Sequence, residues 1–484
     1  MPRSLPLTPH LSASERAFVS NPAAALQLLA AFGSPLNVVF PGEARENYRR
    51  FVALLGELEI DGALLYAQKA NKSLALLREL VFAGAGANNA SLAELQRALG
   101  NGCPAERAEA GGPKTDEYLA LACFSGALIN VDSLSELRVL QTTAERLGRP
   151  ARVILRLSGF RSQGVQILSK PTRFGIQVDH VHDALALLAA HPATFSFEGL
   201  SYHLDTVAIA EKSVALDGLV RTTLAAMEHG LRVQLLDIGG GFKVNYLESQ
   251  LEWENYMTAL REALLGKTAP LTWQGAGFGL REERGVISGN LNMYSYYDNP
   301  VQEHYLRELL EQRSSETGSS FAEFFRETRV RLLLEPGRAL LAGAGMTLAR
   351  VVEVSHTAEG DTLVRLDMNR ADITIQDLEL FVDPTLLPAA AMLERPALDD
   401  GCFLIGNLCL ESDFVSRRKV FLPSTPAPGD ILAFANSAGY IMDFNAHQAA
   451  LQRIAEKVAV YQDATGAWRW TRDENYWPSG AASA

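Results

Sequence analysis

The 484-residue sequence has only four cysteines, at 103, 123, 402 and 409, and neither their density nor their spacing suits a disulfide scaffold or a zinc site. A reducing compartment is expected. No run reaches the roughly 18 apolar residues of a membrane span. Pro2 and Arg3 lead into no sustained apolar core with a small-residue cleavage site, so a cytoplasmic location is expected. Basic charge is also in short supply: 44 Lys and Arg stand against 56 Asp and Glu, a net charge of -12. That balance excludes a general nucleic-acid binder, which needs a basic footprint to neutralise phosphates. No internal repeat or low-complexity tract stands out.

What is present is an ordinary globular composition, 48% hydrophobic and 21% charged, over a length that exceeds one core. From Ala63 onward, short apolar runs alternate with helical stretches, the pattern of β/α units around a parallel sheet. Eight candidate strands are read: 63–67, 79–85, 106–110, 126–131, 152–157, 195–203, 232–238 and 329–335. Eight strands predict an α/β fold with a (β/α)8 barrel, whose interior is a packed apolar core and whose chemistry sits at the carboxyl ends of the strands. Lys69, Ser91, Lys114, Asp132, Arg156, His203, Gly239–Gly241, and Glu335 with Arg338 all follow such runs. Residues 1–42 form an N-terminal extension in which Asn21-Pro22 is expected to cap a short helix, followed by a strand expected to join a β domain. Residues 43–340 form the barrel, with a long insertion at about 243–328, and residues 341–484, rich in β-branched segments with Gly and Pro turns, form the C-terminal β domain.

Four constellations carry chemistry. Lys69, in LLYAQKANKSLALLREL, stands just past an apolar strand, where its amine is expected to be partly desolvated and able to form a Schiff base; a surface lysine at a strand end is the plain alternative. The run LLDIGGGF, 235–242, lets backbone amides approach an anion such as a phosphate, although glycine-rich turns also occur without one. In LLLEPGRAL, 332–340, Arg338 suits a phosphate and Glu335 could hold a pyridinium nitrogen protonated, or the two could be an internal ion pair. His203, in GLSYHLDT, ends a strand on the same face, where a hydrogen-bonded core histidine is the plain reading.

In order along the chain, YAQKAN, AGAGANNASLAEL, GGPK, VDSLSEL, RFGI, GLSYHLDT, DIGGGF, EPGR, GNLCLESD and AGYIMDFN resemble the motif series of the pyridoxal-phosphate (PLP) dependent ornithine/diaminopimelate decarboxylase family, from about Gly33 to Asn445. The resemblance implies a PLP-binding, alanine-racemase-like barrel of fold type III with a C-terminal β domain, in a homodimer with shared active sites. By the same resemblance Lys69 is the lysine that forms the internal aldimine, and His203 stacks on the cofactor ring. Gly239, Gly240, Gly241, Arg338 and Tyr440 hold the phosphate, and Glu335 faces the pyridine nitrogen. Cys409 crosses into the partner's site to reprotonate the product. Arg156 and Gly337, at the strand ends, complete the expected cofactor-binding set.

Four departures bear on substrate. Asn88 stands where the family usually has an aspartate, and Asp205-Thr206 where it has Gly-Ser. Leu410 replaces the acidic residue that helps hold a distal amine, with Glu411 and Asp413 nearby as candidate substrate residues out of that register. No arginine-containing counterpart of the distal-carboxylate segment follows Asp367, so neither ornithine nor diaminopimelate is assumed. The expected activity is PLP-dependent decarboxylation of an amino acid. The alternatives are a racemase or epimerase on the same scaffold, which would need a second base opposite Lys69, and a non-catalytic PLP carrier. No metal is expected.

Overall fold

Eight parallel strands close into a ring in the computed structural model, which describes residues 4–161, 172–374, 378–389, 395–463, 465 and 467–478. They are β1 (Gly62–Ala67), β2 (Gly86–Asn89), β3 (Ala108–Ala110), β4 (Leu128–Val131), β5 (Ala151–Ser158), β6 (Phe195–Ser201), β7 (Leu235–Asp237) and β8 (Arg331–Leu334), each hydrogen-bonded to the next, and β8 to β1. The register of closure pairs Leu332 with Gly62 and Leu334 with Leu64. Crowding shows where strands meet: a Cβ on Gly199 would stand 1.9 Å from the Leu235 carbonyl oxygen.

The expected second strand, 79–85, is helix instead. Leu76, Leu77, Leu80 and Val81 recur at helical spacing and are buried, and Ser73 caps the helix Leu74–Ala83 by accepting from the Leu76 amide. Gly84, at φ 113°, ends it in a left-handed conformation that glycine takes without strain. The strand follows as the polar run GANN, which local hydropathy does not mark.

The polarity of GANN leads to a second correction. The lower barrel interior is apolar, with Leu65, Leu128, Ile154, Leu235 and Leu333 forming one cluster. The layer above it, toward the strands' carboxyl ends, is polar: Asn88, Glu109, Asn130, Ser201, Asp237 and Glu335 are all buried there. Such groups are tolerated out of water only when hydrogen-bonded: Asn88, Glu109, Asn130, Ser201 and Glu335 are joined to one another, and Asp237 accepts the Gly239 amide.

A second sheet lies beside the barrel. Leu36–Val39 pairs antiparallel with Gly345–His356 and parallel with Glu456–Gln462, so the chain enters and leaves the barrel through the same sheet. Helix Pro22–Phe32 packs on it through Ala25, Leu28, Leu29 and Phe32. Asn21 makes no side-chain cap there, and Pro22 begins the helix. In the 243–328 excursion, helices Gln250–Leu264, Gln302–Glu311 and Phe321–Thr328 alternate with loops and the hairpin Arg281–Glu283/Val286–Ser288. Aromatic contacts bind it to the second sheet's region: Trp253, Tyr256, Phe278 and Tyr296 surround Phe381, and Trp273 stacks on Phe414. No helix among the described residues is long and apolar enough to cross a membrane.

Candidate active site

The carboxyl ends of β1, β6, β7 and β8 bring the sequence-predicted residues to one mouth. Lys69 lies on the single 3-10 turn Gln68–Ala70 that follows β1. That turn is fastened to the second domain: Tyr440 N–H donates to the Ala70 carbonyl at 2.7 Å, and Asn71 Nδ2 donates to the Ala438 carbonyl at 2.7 Å. Lys69 itself is exposed, where partial desolvation was expected, because the turn carries it onto the rim above the buried Gln68 and Ala70. It still lies within electrostatic reach of Glu335, His203 and Glu94.

Glu335 follows β8 and is buried. Its carboxylate accepts from Asn88 Nδ2 at 2.9 Å and pairs with His203 Nδ1 at 3.1 Å. Burial alone would raise its pKa, but the hydrogen bond and charge of His203, with Lys69 and Arg156, bring it below the ordinary carboxylate value. Burial lowers the pKa of His203. Glu109 sits one layer over, accepting from Asn130 Nδ2 at 2.7 Å and Asn88 Nδ2 at 3.3 Å. Burial, and then the neighbouring Glu335 charge, raise it to about 8. Glu335 is thus the ionised member of the pair and Glu109 the protonated one at neutral pH.

The glycine turn sits across the mouth. Asp237 Oδ1 accepts the Gly239 amide at 2.8 Å, fixing the turn to its own strand. A Cβ on Gly240 would meet the Glu335 carbonyl oxygen at 2.5 Å, so only glycine lets the turn lie against β8. Arg338 and Tyr440 come together from the two domains. The guanidinium carbon of Arg338 stands 5.5 Å from the Tyr440 ring and 3.7 Å from that of Tyr294, a residue of the long excursion. A Cβ on Gly337 would be 3.1 Å from the Tyr440 hydroxyl, and one on Gly439 3.0 Å from Arg338 Cγ, so two glycines make this approach possible. Tyr440 holds φ 71°, an uncommon backbone state for a non-glycine residue and one that clusters at functional sites.

These residues pass a simple test for a phosphorylated pyridine cofactor. Arg338 Nε is buried without a hydrogen-bond partner, and the Gly241 N–H donates to no group among the described residues, so cationic and neutral donors remain free for an anion. A buried carboxylate held ionised suits a protonated ring nitrogen.

Other expected residues fall elsewhere. Arg156 pairs with Asp132 at 3.2 Å and lies over the Phe174 ring. The Lys114 side chain is buried and spent on the Gly112 and Asn130 carbonyls and on Glu136, and Ser91 caps a helix. Asp413, a candidate substrate residue, is buried and accepts the Arg370 amide at 2.9 Å and the Leu408 amide at 2.7 Å; its geometry is that of a loop clamp. Glu411, Cys409 and Leu410 are exposed on the loop it clamps. Glu109 and Asn130 were not singled out by the sequence. A carboxylate inside the apolar run AEA was their available signal, but three residues are too few to show which side of a barrel wall it faces.

The comparisons with known proteins agree with this geometry. The family profile described as "Pyridoxal-dependent decarboxylase, pyridoxal binding domain" matches residues 42–280. The uncharacterized protein y4yA of Sinorhizobium fredii is 30% identical over 438 residues, covering 90% of this chain and 89% of that protein. A diaminopimelate decarboxylase of Zymomonas mobilis is 24% identical, covering 86% of this chain and 85% of its own length. Among solved structures, diaminopimelate decarboxylase from M. jannaschii in complex with L-lysine superposes with a TM-score of 0.66 at 21% identity, over 93% of this chain and 91% of that one. The chain belongs to the PLP-dependent, fold type III decarboxylase family. Its cofactor is pyridoxal 5'-phosphate, and its class is that of carbon-carbon lyases acting on amino acids.

Proposed function

We propose that the chain removes the carboxyl group from the α-carbon of an amino acid, with Lys69 bonding the cofactor's aldehyde carbon and Cys409 supplied by the other protomer of a homodimer. The observation that carries the reading is the convergence of the Lys69 turn, the His203–Glu335 pair, the glycine turn and the Arg338–Tyr440 pair at one barrel mouth. In this reading Gly239–Gly241, Arg338 and Tyr440 hold the phosphate, with Gly337 giving Tyr440 room. Glu335 faces the ring nitrogen, and His203, hydrogen-bonded to Glu335, covers the ring. Arg156 acts from a distance through its charge on Glu335 and His203. When bound, the cofactor supplies an electron sink for the bond that breaks at the α-carbon.

Cys409 serves as the acid that returns a proton to that carbon, a role worth about 10² to 10⁴ in rate for a positioned group. It is exposed, and the cleft beside its loop is lined by Arg370, Leu408, Leu410, Asn445 and His447 of its own domain and by none of the barrel residues named above. A second copy supplying the barrel mouth satisfies both facts. Leu410, 61% exposed next to Cys409, would present an apolar surface to the substrate's distal end, which disfavours a distal amine held at that position. Glu411 remains the candidate polar contact there, and Asp413 acts on substrate only through the loop.

The test is spectroscopic and chemical. With added cofactor the wild-type protein is expected to gain a visible absorption band that Lys69→Ala lacks, and to release CO₂ from one member of a panel of amino acids. A band that survives the Lys69→Ala change would refute the assignment of that residue. Loss of α-deuterium without CO₂ would replace decarboxylation with racemisation.

A further inference from the structure

Lys212, in the first turn of helix Ile209–Glu228, is only 1% exposed. Its Nζ donates to the Gly240 carbonyl and lies 5.2 Å from the Phe242 ring and 5.7 Å from the Tyr305 ring. A Cβ built on Gly241 would stand 3.2 Å from that nitrogen, so the ammonium lies directly beneath the glycine turn. Burial pushes it down to about 7 from its ordinary value, and among the described residues no carboxylate offsets the burial. An ammonium held out of water beside one carbonyl and two ring faces is poorly compensated unless an anion lies close.

The carbonyl that Lys212 binds belongs to the Gly240–Gly241 peptide. In a trans peptide the C=O and the following N–H point in opposite directions, so the Gly241 N–H is the far end of the dipole that Lys212 grips. That N–H is free among the described residues, and Gly241 is exposed at the barrel mouth. A cation at the oxygen and an anion at the hydrogen polarise the same peptide in the same sense, and each strengthens the other.

We propose that Lys212 is a positioning residue of the phosphate subsite, transmitting its charge through the Gly240–Gly241 peptide so that anion binding and the charged form of this lysine support one another. The inference rests on the proposed reading of Gly239–Gly241 as the phosphate turn. Cofactor binding should then draw a proton onto Lys212. The other titratable groups around it are Glu211 on its own helix, Tyr202 and His203 after β6, Asp237 below the turn, Tyr305, and the Lys243–Asp298 pair beyond that ring.

The test titrates apoenzyme calorimetrically at pH 8 in two buffers of different ionisation enthalpy, once with pyridoxal 5'-phosphate and once with pyridoxal. With a second phosphate pKa of about 6, the phosphate is already a dianion at this pH, so the difference between the ligands reports protons taken up by the protein. Wild type is expected to take up more protons with the phosphorylated ligand. In Lys212→Met the excess should vanish and the phosphorylated ligand should bind about ten- to a hundredfold more weakly, while pyridoxal affinity is unchanged. Equal proton uptake for both ligands in wild type, or equal weakening of both in the variant, overturns the inference. The wild-type measurement stands alone should the variant fail to fold. If the phosphorylated cofactor gives no Lys69-dependent band in wild type, the phosphate-turn reading fails first; a band without phosphate-specific proton uptake removes Lys212 alone.

Discussion

A hydrogen-bonded chain runs across the barrel from His203 through Glu335, Asn88, Glu109 and Asn130 to Ser201. Two carboxylates bridged by one amide in a water-poor layer cannot both ionise easily, and the structure divides the roles: Glu335 is lowered and Glu109 raised to about 8. Because the folded pKa of Glu109 lies above its unfolded value near 4.5, the native state binds a proton that the unfolded chain has already lost across that window. The contribution to stability is full below pH 4.5 and is lost as pH rises through about 8. Relative to Glu109→Gln, wild type should therefore lose stability between pH 5 and pH 8, read as the difference in urea midpoints; a gain over that interval would contradict the assignment. Little of this was legible beforehand. Lys69, His203, Glu335, Arg338 and Tyr440 stand in motifs whose order marks them, whereas Glu109 and Asn130 are polar letters within short strand runs and Lys212 stands in the ordinary polar run EKS of a helix. Only the closed wall, and the helix laid under the glycine turn, show that they point inward.

Among the elements, the barrel count was readable and one placement was not. Seven of the eight strand runs overlap observed strands, most of them because leucine- and valine-rich segments bounded by turns carry their own signal. The end of the helix Leu74–Ala83 reads as a strand because its apolar residues are dense, and GANN does not because its barrel-facing side is polar. The same tight construction makes the glycine turn intolerant of change. Gly240→Ala would drive a methyl group onto the Glu335 backbone, which cannot swing aside as a side chain can. A loss of cofactor affinity of about tenfold or more is expected, in line with the 1–3 kcal/mol of an overpacked site, and equilibrium titration with the cofactor measures it. Asp413 makes the complementary case at the Cys409 loop. Replacing it with Ala removes the acceptor of two amides, bonds to a charged group worth about 1.5–3 kcal/mol each. Turnover should fall at least tenfold while the cofactor band stays intact; parallel loss of both would mean that the clamp supports the whole fold.

For the whole molecule, the proposed role of Cys409 requires an exposed thiol on the second sheet's loop to reach a barrel mouth. Within one chain the two domains are already fastened at that mouth, by Tyr440 N–H on Ala70, by Asn71 on Ala438, and by Lys72 N–H on the Asp443 carboxylate, so the mouth is built from both. Cys409 lies outside this seam, on a loop that ends in exposed Leu410 and Glu411. A closed two-fold dimer solves the geometry once for both sites, since whatever one copy gives it also receives. The consequence is a complementation that no monomeric site can produce. Lys69→Ala and Cys409→Ala proteins, each nearly inactive alone, should on mixing and subunit exchange recover about a quarter of wild-type activity, because half of the dimers are hybrids and each hybrid holds one intact site. Activity that stays at the level of the separate variants after exchange, with hybrid dimers shown to have formed, would place Cys409 in the same site as the Lys69 of its own chain, or outside the chemistry altogether.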